Sequence, residues 1–279
     1  MKYLSFLAQK LVPHHLLSRT TGVLADSSWP WLKNLLIKLF VRYFKVDMSE
    51  AVNSDPTAYG SFNEFFTRPL KPEARSICRD AGAVISPVDG VVSEVGTADG
   101  ENILQVKNFS YSLHTLLGDS SSRSEVFRNG RFITLYLSPK DYHRVHAPLT
   151  GTLVDSIYVP GKLFSVDPYT VNNLPNLFLR NERLVTVYET AFGALALVMV
   201  GAMIVAGIQS VWRGSCYPPG KVTTDTISKP LQLDKGAEMG RFQLGSTVIL
   251  LFSSNSLQWL EHLCAGDSVR MGQKIGVIN

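Results

Sequence analysis

Residues 191–208, AFGALALVMVGAMIVAGI, run for 18 positions without a charge. An unbroken apolar run of about this length can cross a bilayer as a helix. Three glycines, Gly193, Gly201 and Gly207, cut it into pieces of strand length, and valine-rich runs bounded by glycine fit strands buried inside a sheet. A membrane span here would also separate the polar motifs before it from those after it, which the chemistry considered below needs in one site. The stretch reads as buried strands.

The rest of the chain agrees with a β-rich body. Across 279 residues, 21 Gly and 14 Pro punctuate short runs of Val, Ile, Leu, Phe and Tyr, the pattern of many strands and turns rather than a helical bundle. Strands are expected at 152–158, 184–189, 195–205, 210–212, 246–252 and 274–277. Val88-Asp89-Gly90-Val91-Val92 reads as strand-turn-strand, and Asn129-Gly130 before RFITLYLS as a hairpin turn with positive φ at both residues. A short helix or loop falls within 113–130, and FNEFFTRPL at 62–70 forms a short helix ending near Pro69. Hydrophobic residues make up 45% and charged residues 18%, which excludes disorder as the main state. Cys78, Cys216 and Cys264 are odd in number, widely separated and without C-x-x-C spacing. They indicate neither a disulfide framework nor a zinc site, and a reducing, cytoplasm-facing location follows.

Charge is unevenly spread. Residues 1–46 carry Lys2, Lys10, Arg19, Lys33, Lys38, Arg42 and Lys45 against Asp26 alone, or +6 of a chain whose net charge is +4. No secretory signal is evident, because Gln9, Lys10 and Pro13 interrupt the first apolar stretch. Within 29–46, Trp31, Leu32, Leu35, Leu36, Leu39, Phe40 and Tyr43 recur at helical spacing and most cations fall elsewhere around the helix. Asp26, Ser27 or Ser28 is the expected cap, with Pro30 in the first turn. A basic amphipathic helix of this kind lies in the membrane interface against anionic lipid. The alternative is a helix that covers the main domain with its cations in water.

Polar candidates concentrate in three segments. In Asp141-Tyr142-His143-Arg144-Val145-His146 two histidines stand three apart, which on a strand or loop points them to different sides, so two separate catalytic roles are as open as a metal pair. Asp89 sits in an apolar turn, where Asp-Gly is also ordinary turn chemistry. In MGRFQLGSTV at 239–248, Gly245-Ser246 precedes an apolar strand. Gly245 tolerates an unusual backbone, and the Ser246 hydroxyl can attack the preceding carbonyl to make an ester. A nearby His would act as base and an Asp would orient it. Elimination from that ester gives dehydroalanine, and hydrolysis gives a pyruvoyl group, although most Gly-Ser pairs do nothing of the sort.

Six motifs resemble, in order, those of bacterial-type phosphatidylserine decarboxylase proenzymes: FNEFFTRPLKP at 62–72, SPVDG at 86–90, LSPKDYHRVHAP at 137–148, YVPGKLFSV at 158–166, NER at 181–183 and MGRFQLGSTV at 239–248. The resemblance implies self-cleavage between Gly245 and Ser246 into a β chain of residues 1–245 and an α chain of residues 246–279. It implies that Asp89, His146 and Ser246 form the self-processing triad and that His143 serves decarboxylation. The covalent pyruvoyl group from Ser246 would be the cofactor, forming a Schiff base with the substrate amine and taking up the electrons when CO₂ leaves.

The expected architecture is α+β, with membrane-associating helices in residues 1–70 followed by a mainly β, barrel-sandwich-like catalytic domain in residues 71–279. Segments 87–92 and 266–273 resemble parts of barrel-sandwich hybrid folds. Expected partners are phosphatidylserine, an anionic membrane surface, the chain's own two cleavage products and a second copy in a homodimer, with no nucleic acid. The expected location is peripheral, on the cytoplasmic side of the cell membrane. A metallohydrolase using His143, His146 and Asp89 is disfavoured because no further motif with ligand spacing accompanies them, so no metal is expected. A non-enzymatic carrier of the barrel-sandwich type lacks a lysine in a recognisable attachment turn.

Overall fold

The computed structural model describes residue 9 and residues 14–106, 109–203, 207–218, 220–225, 227, 229–243, 246–253 and 257–278, with only the backbone for 14–19. The first elements are α1 (His14–Asp26), α2 (Pro30–Phe44) and α3 (Phe62–Phe66). Pro30 opens α2 as its fixed φ favours. The expected side-chain cap is absent: Trp29 is the N-cap and makes no such bond, while the Ser27 hydroxyl accepts from the Trp29 amide. In α3 the Ser61 hydroxyl accepts from the Glu64 amide, and the Glu64 carboxylate reaches back to the Gly60 amide, a variant of the capping box. Ile37 of α2 is buried, and Phe40 meets Phe62, Phe65 and Phe66 edge-on.

This packing corrects one expectation. Lys33 is a buried residue whose ammonium donates to the Thr57 carbonyl and the Asn34 side chain; it anchors the helix to the body and is neither lipid-facing nor solvated. The outward stripe of α2 is apolar instead: Trp31, Leu35, Leu39 and Tyr43, four residues apart, are 60%, 49%, 57% and 79% exposed.

The β body begins with β1 (Ala83–Ile85), β2 (Gly90–Thr97), the pair β3 (Asn102–Val106) and β4 (Phe109–Ser112), and the short helices α4 (Leu113–Leu116) and α5 (Ser121–Val126). Strands β5 (Arg131–Leu137), β6 (Arg144–His146) and β7 (Gly151–Val159) follow, then α6 (Pro168–Asn173) and α7 (Leu177–Arg180). Next come β8 (Arg183–Thr190), β9 (Gly193–Gly201), β10 (Ile208–Ser210), β11 (Thr223–Thr224), β12 (Leu231–Leu233) and β13 (Glu238–Phe242). The last are β14 (Ser246–Phe252), β15 (Leu257–Trp259), β16 (Ser268–Val269) and β17 (Lys274–Ile278). A nine-stranded sheet runs β11-β7-β8-β9-β14-β5-β2-β16, with β12 also on β7; smaller sheets run β10-β13-β6 and β1-β17-β15. The fold is α+β and mostly antiparallel sheet, and its stacked sheets are compatible with a sandwich.

The large sheet is buried on both faces. Val248, Leu250 and Phe252 of β14 join Val145, Met239 and Phe242 of the β10-β13-β6 sheet in one apolar cluster. Ile249 and Leu251 join Ile103, Tyr111, Leu177 and Phe178 on the opposite face. Both alternating sets are covered, which is why β14 reads as a continuous apolar run. Residues 191–208 resolve in the same way: β9 takes 193–201, β10 starts at 208, and 204–206 lie outside the described residues. Among the described residues no helix is long and apolar enough to cross a membrane.

The Asn129-Gly130 hairpin does not form. Asn129 has φ 55°, but Gly130 lacks positive φ and links α5 to β5. Gly130 is needed for space, since a Cβ there would lie 2.2 Å from the Phe252 carbonyl oxygen.

Candidate active site

Ser246 is the first residue of β14 and stands between Leu137 of β5 and Gly201 of β9. Directly opposed residues share a face, so its side chain joins that of Leu137 on the face covered by the β10-β13-β6 sheet. It is fully buried, and its Oγ has no hydrogen-bond partner among the described residues. Gly245 lies outside the described residues. The chain reaches this point from Phe242, whose amide donates to the His143 carbonyl.

His143 is also fully buried, with its ring 4.0 Å from that of Phe66. Its Nδ1 lies 2.8 Å from the Asp141 carbonyl. A carbonyl only accepts, so Nδ1 carries the proton and Nε2 presents a lone pair, which has no partner among the described residues. Burial pushes the imidazole down to about 3. His146 ends β6. Its Nδ1 donates to the Gly236 carbonyl at 2.8 Å, and its Nε2 accepts from the Tyr142 hydroxyl at 3.0 Å. Burial lowers His146 as well, and raises the Tyr142 phenol to about 12, so Tyr142 stays a donor.

Asp89 is not joined to His146 by any hydrogen bond the structure records. Its carboxylate takes both Nε and Nη2 of Arg75 and the Met271 amide. Arg75 also holds Glu50 at 2.8 Å. The structure thus places Ser246 and the 137–143 loop side by side, with His146 three residues further on, while Asp89 is committed to another partner.

Residues without a role in the sequence reading complete the surroundings. Asn181 of the NER segment binds both backbone groups of Phe164 and the Gly201 carbonyl. A Cβ on Gly161 would meet the Glu182 amide at 2.5 Å, so the YVPGK and NER segments require glycine where they cross. Glu182 is buried, accepts from the Tyr158 hydroxyl at 2.8 Å and packs over Gly201, the neighbour of Ser246. Burial raises its pKa. The quoted motifs were the only sequence signal for these residues. Among the described residues no group of three or more His, Cys, Asp or Glu could hold a metal ion. A polar cleft of about 310 Å³ opens beside the loop, lined in part by Arg68, Arg75, Asp89, Asp141 and Tyr142.

The buried histidines set a pH dependence. Their folded pKa values lie below the unfolded value of about 6.5, so the unfolded chain binds more protons and stability falls as pH drops below that value. At pH 4.5 the His143 contribution alone is a loss of about 2–3 kcal/mol. Urea unfolding of a single-chain Ser246→Ala protein at pH 7.5 and 4.5 should show this loss, and His143→Asn should reduce it. An undiminished loss in the variant would mean that His143 accepts a proton within the fold.

The family model described as phosphatidylserine decarboxylase matches residues 62–277, and a second, described as PSD, matches residues 4–45. The chain is 50% identical over 278 residues to the phosphatidylserine decarboxylase proenzyme of Azotobacter vinelandii, covering 98% of this chain and 97% of that protein. It is 50% identical over 281 residues to the proenzyme of the same name from Pseudomonas fluorescens, covering 99% and 98%. The Bordetella pertussis proenzyme is 50% identical over 278 residues, covering 98% and 94%.

Proposed function

The chain belongs to the phosphatidylserine decarboxylase family, and on that premise we propose that it converts phosphatidylserine to phosphatidylethanolamine and CO₂ with a pyruvoyl group made from its own Ser246. The observation that carries this reading is the buried, unpartnered Oγ of Ser246 at the head of an apolar strand, next to the loop that bears His143. Nothing among the described residues competes for that oxygen, so the residues present fit the group. In processing, the Ser246 oxygen attacks the Gly245 carbonyl and the peptide C–N bond breaks. Elimination then frees the Gly245 carboxylate, and hydrolysis of the dehydroalanine releases ammonia. Once formed, the pyruvoyl group supplies a ketone for the substrate amine and a conjugated carbonyl that accepts the electron pair released with CO₂.

His143 handles the proton. The reaction takes up one proton at Cα in place of CO₂, and Nε2 of His143, whose lone pair has no partner among the described residues, is the atom placed to relay it. Burial makes the imidazolium a strong acid for that transfer. Phe66 covers the ring and keeps water from intercepting that proton.

Phe66 also lines an apolar groove of about 590 Å³ with Leu24, Leu36, Phe40, Phe44 and Phe62. With the exposed stripe of α2 it suits peripheral docking on the anionic, cytoplasmic leaflet, where acyl chains could lie close to the site. Incubation with phosphatidylserine vesicles should release CO₂ and phosphatidylethanolamine; no release would overturn the activity. Lys38 and Arg42 are exposed on α2, and each cation near such a surface contributes about 1 kcal/mol. Replacing both with Gln should weaken vesicle co-sedimentation at low salt about 30-fold. It should leave turnover of a soluble short-chain substrate unchanged. Salt-insensitive, unaltered binding would mean that apolar insertion alone holds the helix.

A further inference from the structure

Arg68, in the FFTRP segment just after α3, is 3% exposed and lines the polar cleft beside the catalytic loop. Its Nη2 donates to the Lys140 carbonyl at 3.2 Å, and its guanidinium lies 5.4 Å from the Phe65 ring centroid. Its Nε and Nη1 are buried with no hydrogen-bond partner among the described residues. A buried guanidinium with two idle donors is costly unless something supplies an acceptor.

The carboxylates of the cleft do not supply it. Asp89 is held by Arg75 and the Met271 amide, Glu50 by Arg75 and Arg270, Asp141 by the Ser138 amide and hydroxyl, and Asp47 by the Ser49 amide and hydroxyl. The cleft therefore has idle guanidinium N–H donors left over for an anion from outside, and charge-assisted bonds of this kind suit phosphate or carboxylate. Arg68 also stands two residues after Phe66, whose ring packs on His143, and its bond to Lys140 ties it to the loop that carries that histidine.

Resting on the decarboxylase reading above, we propose that Arg68 is the receptor for the phosphodiester of the lipid headgroup. The substrate offers two anions, and the chemistry chooses between them. A guanidinium on the carboxylate would stabilise a charge that disappears as CO₂ leaves, and would slow the step. The phosphodiester keeps its charge throughout and lies three bonds from the reacting Cα, so a grip on it binds ground and transition states alike. Arg68 thus sets affinity and selects phospholipid over phosphate-free serine derivatives.

The test compares the mature parent enzyme with Arg68→Gln and Arg68→Lys on soluble dihexanoyl phosphatidylserine and on O-hexylserine, which keeps the amine and carboxylate but has no phosphate. For the phospholipid, Arg68→Gln should raise KM on the order of 10- to 100-fold with kcat within a few-fold, and Arg68→Lys should restore part of the loss. For O-hexylserine, kcat/KM should not change. Calorimetry adds a readout independent of turnover: dihexanoyl phosphatidylethanolamine should bind the single-chain Ser246→Ala protein and lose that binding when Arg68→Gln is added. Inorganic phosphate should compete only weakly, which separates a lipid headgroup from free phosphate as the ligand; equal affinity would overturn the lipid assignment. A KM raised equally on both substrates with kcat also raised would place the guanidinium on the carboxylate, and equal losses on both with kcat unchanged or lower would show a structural role; either overturns the proposal. If Arg68→Gln does not mature, calorimetry on the single chain, with its thermal melt as the folding control, decides. Failure of the parent to release CO₂ would sink the decarboxylase reading while the lipid-binding comparison still reports on Arg68.

Discussion

Ser246→Ala is expected to leave one polypeptide of 279 residues with no decarboxylase activity, where the parent is expected to yield chains of 245 and 34 residues. The loss should be complete because the variant lacks the hydroxyl oxygen that is both the nucleophile of cleavage and, once acylated, the group whose elimination opens the way to the ketone. Alanine at this position is smaller than serine and removes only an oxygen that has no partner among the described residues, so the fold should survive. Intact mass and a CO₂-release assay on the same sample make the comparison. Active protein that runs only as the full-length chain would refute the pyruvoyl mechanism.

The parts of the fold legible in the sequence were those in which one local signal dominates. The uncharged stretch at 191–208 and the run at 246–252 are apolar at both alternating sets because β9 and β14 lie in the middle of a sheet covered on both faces. Lys33 and Gly130 were misread for one reason: each is set by a distant partner, the Thr57 carbonyl in one case and the Phe252 carbonyl in the other. The candidate site divides in the same way. Asp89, His143, His146 and Ser246 stand out by residue type within recognisable motifs. That Arg75 occupies Asp89 and that Arg68 is left over follow only from how the segment at 68–75 folds against 138–143 and 267–271, which no spacing encodes.

The two histidines should fail in different ways. His146→Ala is expected to block maturation, because a base is needed before any cofactor exists, whereas His143→Ala should mature and then decarboxylate roughly 10²-fold more slowly. His146 is prepared to be the processing base, because its Nδ1–H is fixed by the Gly236 carbonyl, which leaves Nε2 as the basic nitrogen, and Tyr142 is the group it must release to act. His143 is prepared for proton transfer in decarboxylation, being neutral, shielded by Phe66 and next to the strand that Ser246 begins. Asp89→Ala is expected to block maturation as well. With Arg75 and the Met271 amide as its recorded partners, Asp89 must either exchange partners during processing or act on His146 through its charge. Asp89→Asn probes the charge, because it keeps the size of the side chain and one acceptor oxygen while it removes the charge and the second acceptor that Arg75 uses; a chain that still cleaves would show that the charge is dispensable. A gel for cleavage beside a CO₂ assay reads every variant. If His143→Ala alone fails to cleave, the free lone pair on its Nε2 is the processing base and the two roles are exchanged. If both histidine variants cleave normally, neither is the base, and Glu182, which packs over the strand neighbour of Ser246, becomes the next residue to replace.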